Sequence, residues 1–567
     1  SGPGELPSSA LTLYRVGYHK VSHPSNVEGA AGPWPDPLIP DVDTYFGEKR
    51  NAFPFDVPEG ETRAVWVDVL VPTDAKPGDY VGELEVSAGG ALVGTVPIEL
   101  HVGSFALPST SSLASAFGMG WADPCLAHTG QVSCTTSWDE DMGNGLRALY
   151  LRSSLEHRFG ISSTDYQPPF EASAAYYEKY VLPYVNGTGE SRLPGARLTA
   201  VELDGEDDDV AGWVQYAKDK GFFERLFYYP VDEPMNSGDW AKLVASASAA
   251  HAADPATRVI ITSSILHANA AGAADSVDVF VPVVNYVDDK APADHAGNQR
   301  ATYDTWEGAK ANRTVWAYQS CMSHGCGNCG TTTDDGYFTG WPQYVIDSTA
   351  VQNRCFSWLA FSYELTGELY FDATYQLTTA WDDGGQCAFG GSGDGTLFYP
   401  GKPSVIGGTK DIPVESIRMK MIREGREDYE YLRMAAAKDA AGAKGIATSL
   451  FPSAHACAQP AEKVASARDE LFAMLDEPDA GQGGAGGAGG SGGADAGVAG
   501  GGAAGTGGVD AGAPPASADA AGEDDGGCGC RTSAGAGMKS WWVVAALSLL
   551  LRRRRCRCAG RKLPFTE

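Results

Sequence analysis

The chain has 567 residues, 43% of them apolar and 10% aromatic, enough to build the cores of two to four domains. A formal net charge of −30 and a pI near 4.6 exclude a surface made to hold nucleic acid, which needs basic patches. No P-loop, no H-E-x-x-H and no G-x-S-x-G elbow at a strand–helix junction is present, which excludes three common catalytic designs.

The first hundred residues read as β-structure. Residues 64–71 (AVWVDVLV) and 80–87 (YVGELEVS) show strand periodicity, the second by strict alternation. Turn chemistry in residues 72–79 separates them, and Ala88-Gly89-Gly90 closes a hairpin onto residues 92–102. Residues 1–110 are therefore expected to form a β-sandwich cut short at its N-terminus, with Pro108 and the Ser109–Ser112 cluster marking its end. The chain opens at Ser1 without Met or an apolar leader, so an export signal is expected to have been removed or to lie outside this sequence.

From 111 to 476 the pattern alternates. Helical spacing is found over 146–157, 176–185, 208–220, 239–253, 296–312 and 341–353. Short apolar runs at 226–231, 259–262, 277–281, 314–318 and 356–361 read as buried strands. This alternation over so long a span predicts an α/β fold with a parallel sheet, a TIM-like (β/α)8 barrel.

Within it, Tyr228-Tyr229-Pro230-Val231-Asp232-Glu233-Pro234 puts two adjacent carboxylates where an apolar strand leaves the core. Such a pair is costly without a reason, and like charges held together push one pKa up, giving an acid and a base at neutral pH. Pro234 is expected to hold Glu233 extended. Pro230 sits badly inside a central strand and calls for a bulge. The competing reading makes Asp232-Glu233 the N-cap of the following helix. At a barrel strand's C-terminal end, the catalytic reading gains.

Residues 477–527 are almost wholly Gly, Ala, Asp, Ser and Pro, and read as a disordered tether. Residues 528–558 hold Cys528-Gly529-Cys530, a short apolar run at 541–551 and Arg552–Arg555. This arrangement resembles the C-terminal sorting signal of myxobacterial surface proteins, which implies a processing protease and membrane contact only through this segment. A permanent single-span anchor is the alternative, and both place the folded part outside the cytoplasm.

Export also bears on Cys125, Cys134, Cys321, Cys326, Cys329, Cys355, Cys387 and Cys457: an even number in an oxidising compartment favours disulfides. Cys125 and Cys134 are the expected pair. Cys321-x4-Cys326-x2-Cys329, with His324 between, copies the spacing of zinc or iron–sulfur ligands, but its Gly- and Thr-rich setting favours staples. No metal or cofactor is assigned. The acidic stretch 204–209 lacks the spacing of a calcium loop and reads as solvated. His19, His23, His101 and His128 stand singly and read as ordinary surface or core residues.

Further motifs follow Asp232-Glu233-Pro234 in fixed order: Gly393-Asp394-Gly395-Thr396-Leu397-Phe398-Tyr399-Pro400-Gly401, then Ser416-Ile417-Arg418, then residues 423–432 (REGREDYEYL). Together these resemble domain-of-unknown-function family 4091, which is similar to the catalytic domain of glycoside hydrolase family 123, the β-N-acetylgalactosaminidases. The resemblance spans roughly residues 113–475. It implies a retaining, substrate-assisted reaction in which the sugar's 2-acetamido oxygen attacks its own anomeric carbon. Asp232 would then hold the acetamido N–H, and Glu233 would protonate the leaving oxygen and later activate water.

Sugar rings pack their C–H faces on aromatic rings, which makes Tyr229, Trp316, Tyr318, Trp358, Tyr370, Trp381 and Tyr399 the candidate substrate contacts near strand ends or loops. Tyr399 and the Trp316-Ala317-Tyr318 strand end are the better placed. Asn285 and Gln319 are candidate hydroxyl partners, whereas Arg423 reads as helix packing and ion pairing. Two functions stay open: an exported glycosidase acting on terminal N-acetylhexosamine of a glycan, and a surface carbohydrate-binding protein that keeps the barrel without turnover.

Overall fold

A computed structural model describes residues 3–131, 140–163, 175, 177–203, 209–324, 326 and 336–476. Cys134, Cys329, residues 204–208 and the whole expected tether and tail lie outside them. Among the described residues no helix is long and apolar enough to cross a membrane.

The centre is a parallel, barrel-like sheet of seven named strands, in the order Ala114–Phe117, Gly367–Tyr370, Thr314–Tyr318, Val279–Phe280, Arg258–Ile261, Leu226–Tyr228, Val201–Leu203. Residues 160–162 span the remaining gap. Phe117 N–H donates to the Gly160 carbonyl (3.0 Å), Ser162 N–H to the Phe117 carbonyl (2.9 Å) and Glu202 N–H to the Ser162 carbonyl (3.2 Å). Both faces of the sheet are buried, which is why these strands read as unbroken apolar runs. Residues such as Val201, Leu203, Val259 and Ile261 pack outward against helices, while Ala116, Ala200, Phe227, Ile260, Val279 and Trp316 fill the interior.

Two expectations are corrected here. The apolar run 356–361 is no strand; it is the buried middle of the helix Ala350–Ser362. Thr349 and Gln352 cap that helix reciprocally, and its flanks are buried on most sides, so the run shows no amphipathic period. The helix expected over 341–353 correspondingly begins only at Ala350. Pro230 needs no bulge, because the strand ends at Tyr228.

The N-terminal region is β-rich as expected, but its sheet is not confined to residues 1–110. Five antiparallel strands run in the order Tyr399–Gly401, Ile412–Ser416, Gly32–Pro40, Leu11–Val21, Val65–Val69, so two of them come from beyond the barrel. The strands Gly78–Ala88 and Ala91–Val102 form a separate two-stranded sheet among the described residues. Asp36, on the Gly32–Pro40 strand, receives two hydrogen bonds from Arg418 (3.0 and 2.8 Å) and one from the Tyr399 hydroxyl (2.7 Å). Disulfides join Cys321 to Cys326 and Cys355 to Cys457, and Cys125 and Cys387 are also disulfide-bonded.

Candidate active site

Along four parts of the barrel, three adjacent and the fourth beyond the Val279–Phe280 strand, the inward-facing residue changes character toward the C-terminal end. Ala200 is followed two positions later by Glu202, Phe227 by Tyr229, Ile260 by Thr262, and Trp316 by Tyr318. Alternation along a strand puts each pair on one face. The lower residue of each pair fills the apolar interior, and the upper one carries oxygen.

Asp232 and Glu233 lie just past this ring and are both tied to it. The Tyr229 hydroxyl donates to Asp232 Oδ1 (2.5 Å), and Thr262 Oγ1 donates to the same oxygen (3.0 Å). The two hydroxyls are 2.7 Å apart. Among the described residues, the hydrogen bonds to the Asp232 carboxyl all fall on Oδ1. Thr262 Oγ1 also accepts the Glu233 backbone N–H (2.8 Å), so one side chain fixes a carboxylate and the backbone of the next residue. The Tyr318 hydroxyl donates to Glu233 Oε1 (2.5 Å).

The expectation that Pro234 would hold Glu233 extended is corrected: its φ is +38°, in the left-handed region. That conformation costs a non-glycine residue on the order of 1–3 kcal/mol and persists where the surroundings impose it. In an extended chain, successive side chains point to opposite faces. Here a turn at Glu233 lets both carboxyls meet the barrel mouth.

Both residues are exposed, with protein crowding Glu233 on its inner side. Burial, and then the Asp232 charge, raise the Glu233 pKa, while the Tyr318 hydroxyl opposes the rise by favouring the ionised form. Tyr229 and Tyr318 are pushed well above the ordinary phenol value, first by burial and then by the neighbouring carboxylates, so both remain hydrogen-bond donors. One carboxyl is thus held by two donors and the other is biased toward its protonated form. The pair can divide into a fixed acceptor and a proton carrier.

Of the expected aromatic contacts, the structure brings Tyr229 and Tyr318 to the carboxylates. Trp316 lies a layer lower, buried against Phe227 with ring centroids 5.9 Å apart. The other four are placed elsewhere. Trp358 is in the Ala350–Ser362 helix and donates to Asp428 (2.7 Å). Tyr370 is buried and donates to Asp394 (2.8 Å), Tyr399 is buried on Asp36, and Trp381 donates to the Pro400 carbonyl (2.9 Å) with its ring on Tyr399.

These positions share one cause. The Gly393–Gly401 and Ser416–Arg418 motifs form a brace, in which Arg418 bonds Asp36 and the Gly393 carbonyl (2.7 Å), and Asp394 and Gly395 grip the Tyr370 hydroxyl. Their aromatic residues are occupied inside the protein. Asn285 donates to Tyr337 (3.3 Å), Gln319 is buried, and Arg423 grips Asp68 through two 2.8 Å bonds, as its ion-pairing reading expected.

Thr262 and Glu202 were not foreseen. Each is the polar residue next to or within a short apolar run (VIIT, VEL), a weak signal that gains meaning only when the strands stand side by side. No three His, Cys, Asp or Glu side chains among the described residues are spaced to hold a metal ion.

Residues 6–88 match the family model of the glycoside hydrolase 123 N-terminal domain, and residues 214–435 match that of the glycoside hydrolase 123 catalytic domain. Together the spans take in more than half of the chain and include Asp232 and Glu233. Among solved structures, the fold is similar to that of a family 123 glycoside hydrolase from Clostridium perfringens, described for glycolipid glycan hydrolysis. The TM-score is 0.53 at 14% identity, over 83% of this chain and 85% of that one. A family 39 glycoside hydrolase from Bacteroides cellulosilyticus WH2 is more distant, with a TM-score of 0.30 at 10% identity over 73% and 76% of the two chains. No curated protein sequence matches the chain.

Proposed function

Because the chain belongs to glycoside hydrolase family 123, we propose that it cleaves a terminal β-linked N-acetylhexosamine, N-acetylgalactosamine first, from a glycan by a retaining, substrate-assisted route. The supporting observation is the unequal holding of the two adjacent carboxyls. Asp232 Oδ1 is fixed by Tyr229 and Thr262, leaving Oδ2 to accept the acetamido N–H. That contact orients the acetamido carbonyl toward the anomeric carbon and stabilises the positive charge that develops as it attacks.

Glu233, raised in pKa, gives its proton to the glycosidic oxygen as that bond to the anomeric carbon breaks. The acetamido oxygen closes an oxazolinium ring on the anomeric carbon. The Glu233 carboxylate then takes a proton from water, whose oxygen opens that ring and restores the β configuration. No carboxylate need attack the sugar. The usual retaining scheme instead uses a second carboxyl, about 5–5.5 Å from the acid, as the nucleophile.

The full chain is expected to hydrolyse aryl β-N-acetylgalactosaminide, with the β-N-acetylglucosaminide as comparison. Glu233→Gln is expected to lower kcat/KM by roughly a hundred- to ten-thousandfold. Turnover unaffected by Glu233→Gln rules out this mechanism, whereas glycan binding without turnover by the wild type favours the carbohydrate-binding reading. We further propose that the enzyme works outside the cytoplasm. Six described cysteines in disulfides and the expected sorting tail support this location.

A further inference from the structure

We propose that Glu202 is a third carboxyl of the substrate cleft, accepting a hydrogen bond from a ring hydroxyl of the terminal sugar. The assignment rests on the hydrolase reading above. Glu202 is the middle residue of the strand Val201–Leu203. Val201 and Leu203 sink into the layer between barrel and helices, so alternation turns Glu202 into the barrel. Its partner in register, Phe227, fills the interior, and Tyr229, two residues further along, holds Asp232.

Ser163 Oγ donates to Glu202 Oε2 (2.8 Å), and the Ser162 hydroxyl lies beside the carboxyl. Neither supplies positive charge, and among the described residues no lysine, arginine or histidine forms an ion pair with Glu202. Asp36, Asp43, Glu368 and Asp428 each face an arginine instead. Burial first, with the Asp232 charge adding to it, raises the Glu202 pKa against the Ser163 bond.

A carboxyl in this position without a cation is costly, and donors arriving with a ligand relieve that cost. Sugar hydroxyls suit the place because they donate without bringing negative charge toward Asp232. An acidic group on that edge of the sugar would be repelled, so Glu202 selects a neutral ring as well as a hydroxyl.

The test uses the full chain with aryl β-N-acetylgalactosaminide and its three monodeoxy analogues, lacking the C3, C4 or C6 hydroxyl in turn. In the wild type, one deoxygenation is expected to cost roughly ten- to a hundredfold in kcat/KM. Glu202→Gln should lose a comparable factor on the parent substrate and lose little more when that same hydroxyl is missing. Ser163→Ala, which removes the donor aiming Oε2, should weaken the same hydroxyl's contribution. These results, with thermal unfolding close to wild type, support the assignment.

A Glu202→Gln enzyme with unchanged kcat/KM, or with all three deoxy penalties intact, overturns it. Loss beyond about ten-thousandfold that azide restores would make Glu202 a nucleophile and also overturns it. If the wild type hydrolyses none of these substrates, the hydrolase reading falls by itself. Glu202 is then judged by titrating N-acetylgalactosamine calorimetrically: about tenfold weaker binding in Glu202→Gln supports the contact, and equal or absent binding in both proteins overturns it.

Discussion

Tyr318→Phe removes one oxygen and keeps the ring that fills the barrel beneath the carboxyls. The lost hydroxyl donates to Glu233 Oε1 at 2.5 Å and favours the ionised form of Glu233. Its removal therefore raises the Glu233 pKa. Hydrogen bonds to charged groups contribute about 1.5–3 kcal/mol, and about 1.36 kcal/mol corresponds to one pH unit, so an enclosed bond would shift the pKa by roughly one to two units. Glu233 is exposed, and water can take the place of the lost donor, which reduces the expected shift to roughly half to one unit. Because the general acid must be protonated, the alkaline limb of kcat/KM against pH should move upward by that amount. The profile is measured with aryl β-N-acetylgalactosaminide from about pH 4 to pH 9, where carboxyls with raised pKa values titrate. An unmoved limb, or one that moves downward, refutes the assignment of Glu233 as the acid held by Tyr318.

Asp232→Asn should shift the same limb the other way, because removing the neighbouring charge makes Glu233 easier to ionise; a pH series on the residual activity reads the sign. The same variant should lower kcat by roughly a hundredfold or more, since a preorganised acceptor for charge in the transition state is lost. Thr262→Val removes both the bond to Asp232 and the acceptor for the Glu233 N–H, and should lower kcat at least about tenfold, with Thr262→Ser recovering most of it in steady-state kinetics. Arg418→Ala leaves Asp36 buried and without its cation, so it should destabilise the fold by about 3–5 kcal/mol and lower the thermal unfolding midpoint, while KM in the surviving folded enzyme stays near wild type.

The parts of the fold that were legible were those with a local periodicity. The strand at 314–318, the hairpin near 88–92 and the long helix behind Ser416 are written in spacing, turn residues and caps. The run at 356–361 was not, because a segment buried on most sides loses the amphipathic signal that separates helix from strand. The N-terminal sheet was legible only in part, since the Tyr399–Gly401 and Ile412–Ser416 strands join it from three hundred and more residues away. For the site, adjacent carboxylates before a proline were visible, and Tyr229 and Tyr318 followed from being at strand ends. Thr262 and Glu202 depended on which strands are neighbours, and no single strand states that. Tyr399 and Trp381 misled for a physical reason: buried polar aromatics also need partners, and here Asp36 and a backbone carbonyl provide them.

Adjacency in sequence does not by itself make two carboxyls a catalytic pair. Had the chain been extended at Glu233, its side chain would point away from that of Asp232. The left-handed turn at Glu233 supplies the convergence, and Thr262 supplies a fixed reference for both members through a single hydroxyl. Unequal roles then follow from neighbours on different strands. Tyr229 and Thr262 donate to Asp232, while Tyr318 donates to Glu233, which lies beside the Asp232 charge. Moving the heptapeptide to another strand end would preserve its composition and lose this division. The asymmetry that a proton-transfer cycle needs is therefore a property of the barrel mouth, in which three different strand ends deliver three hydroxyls to two carboxyls.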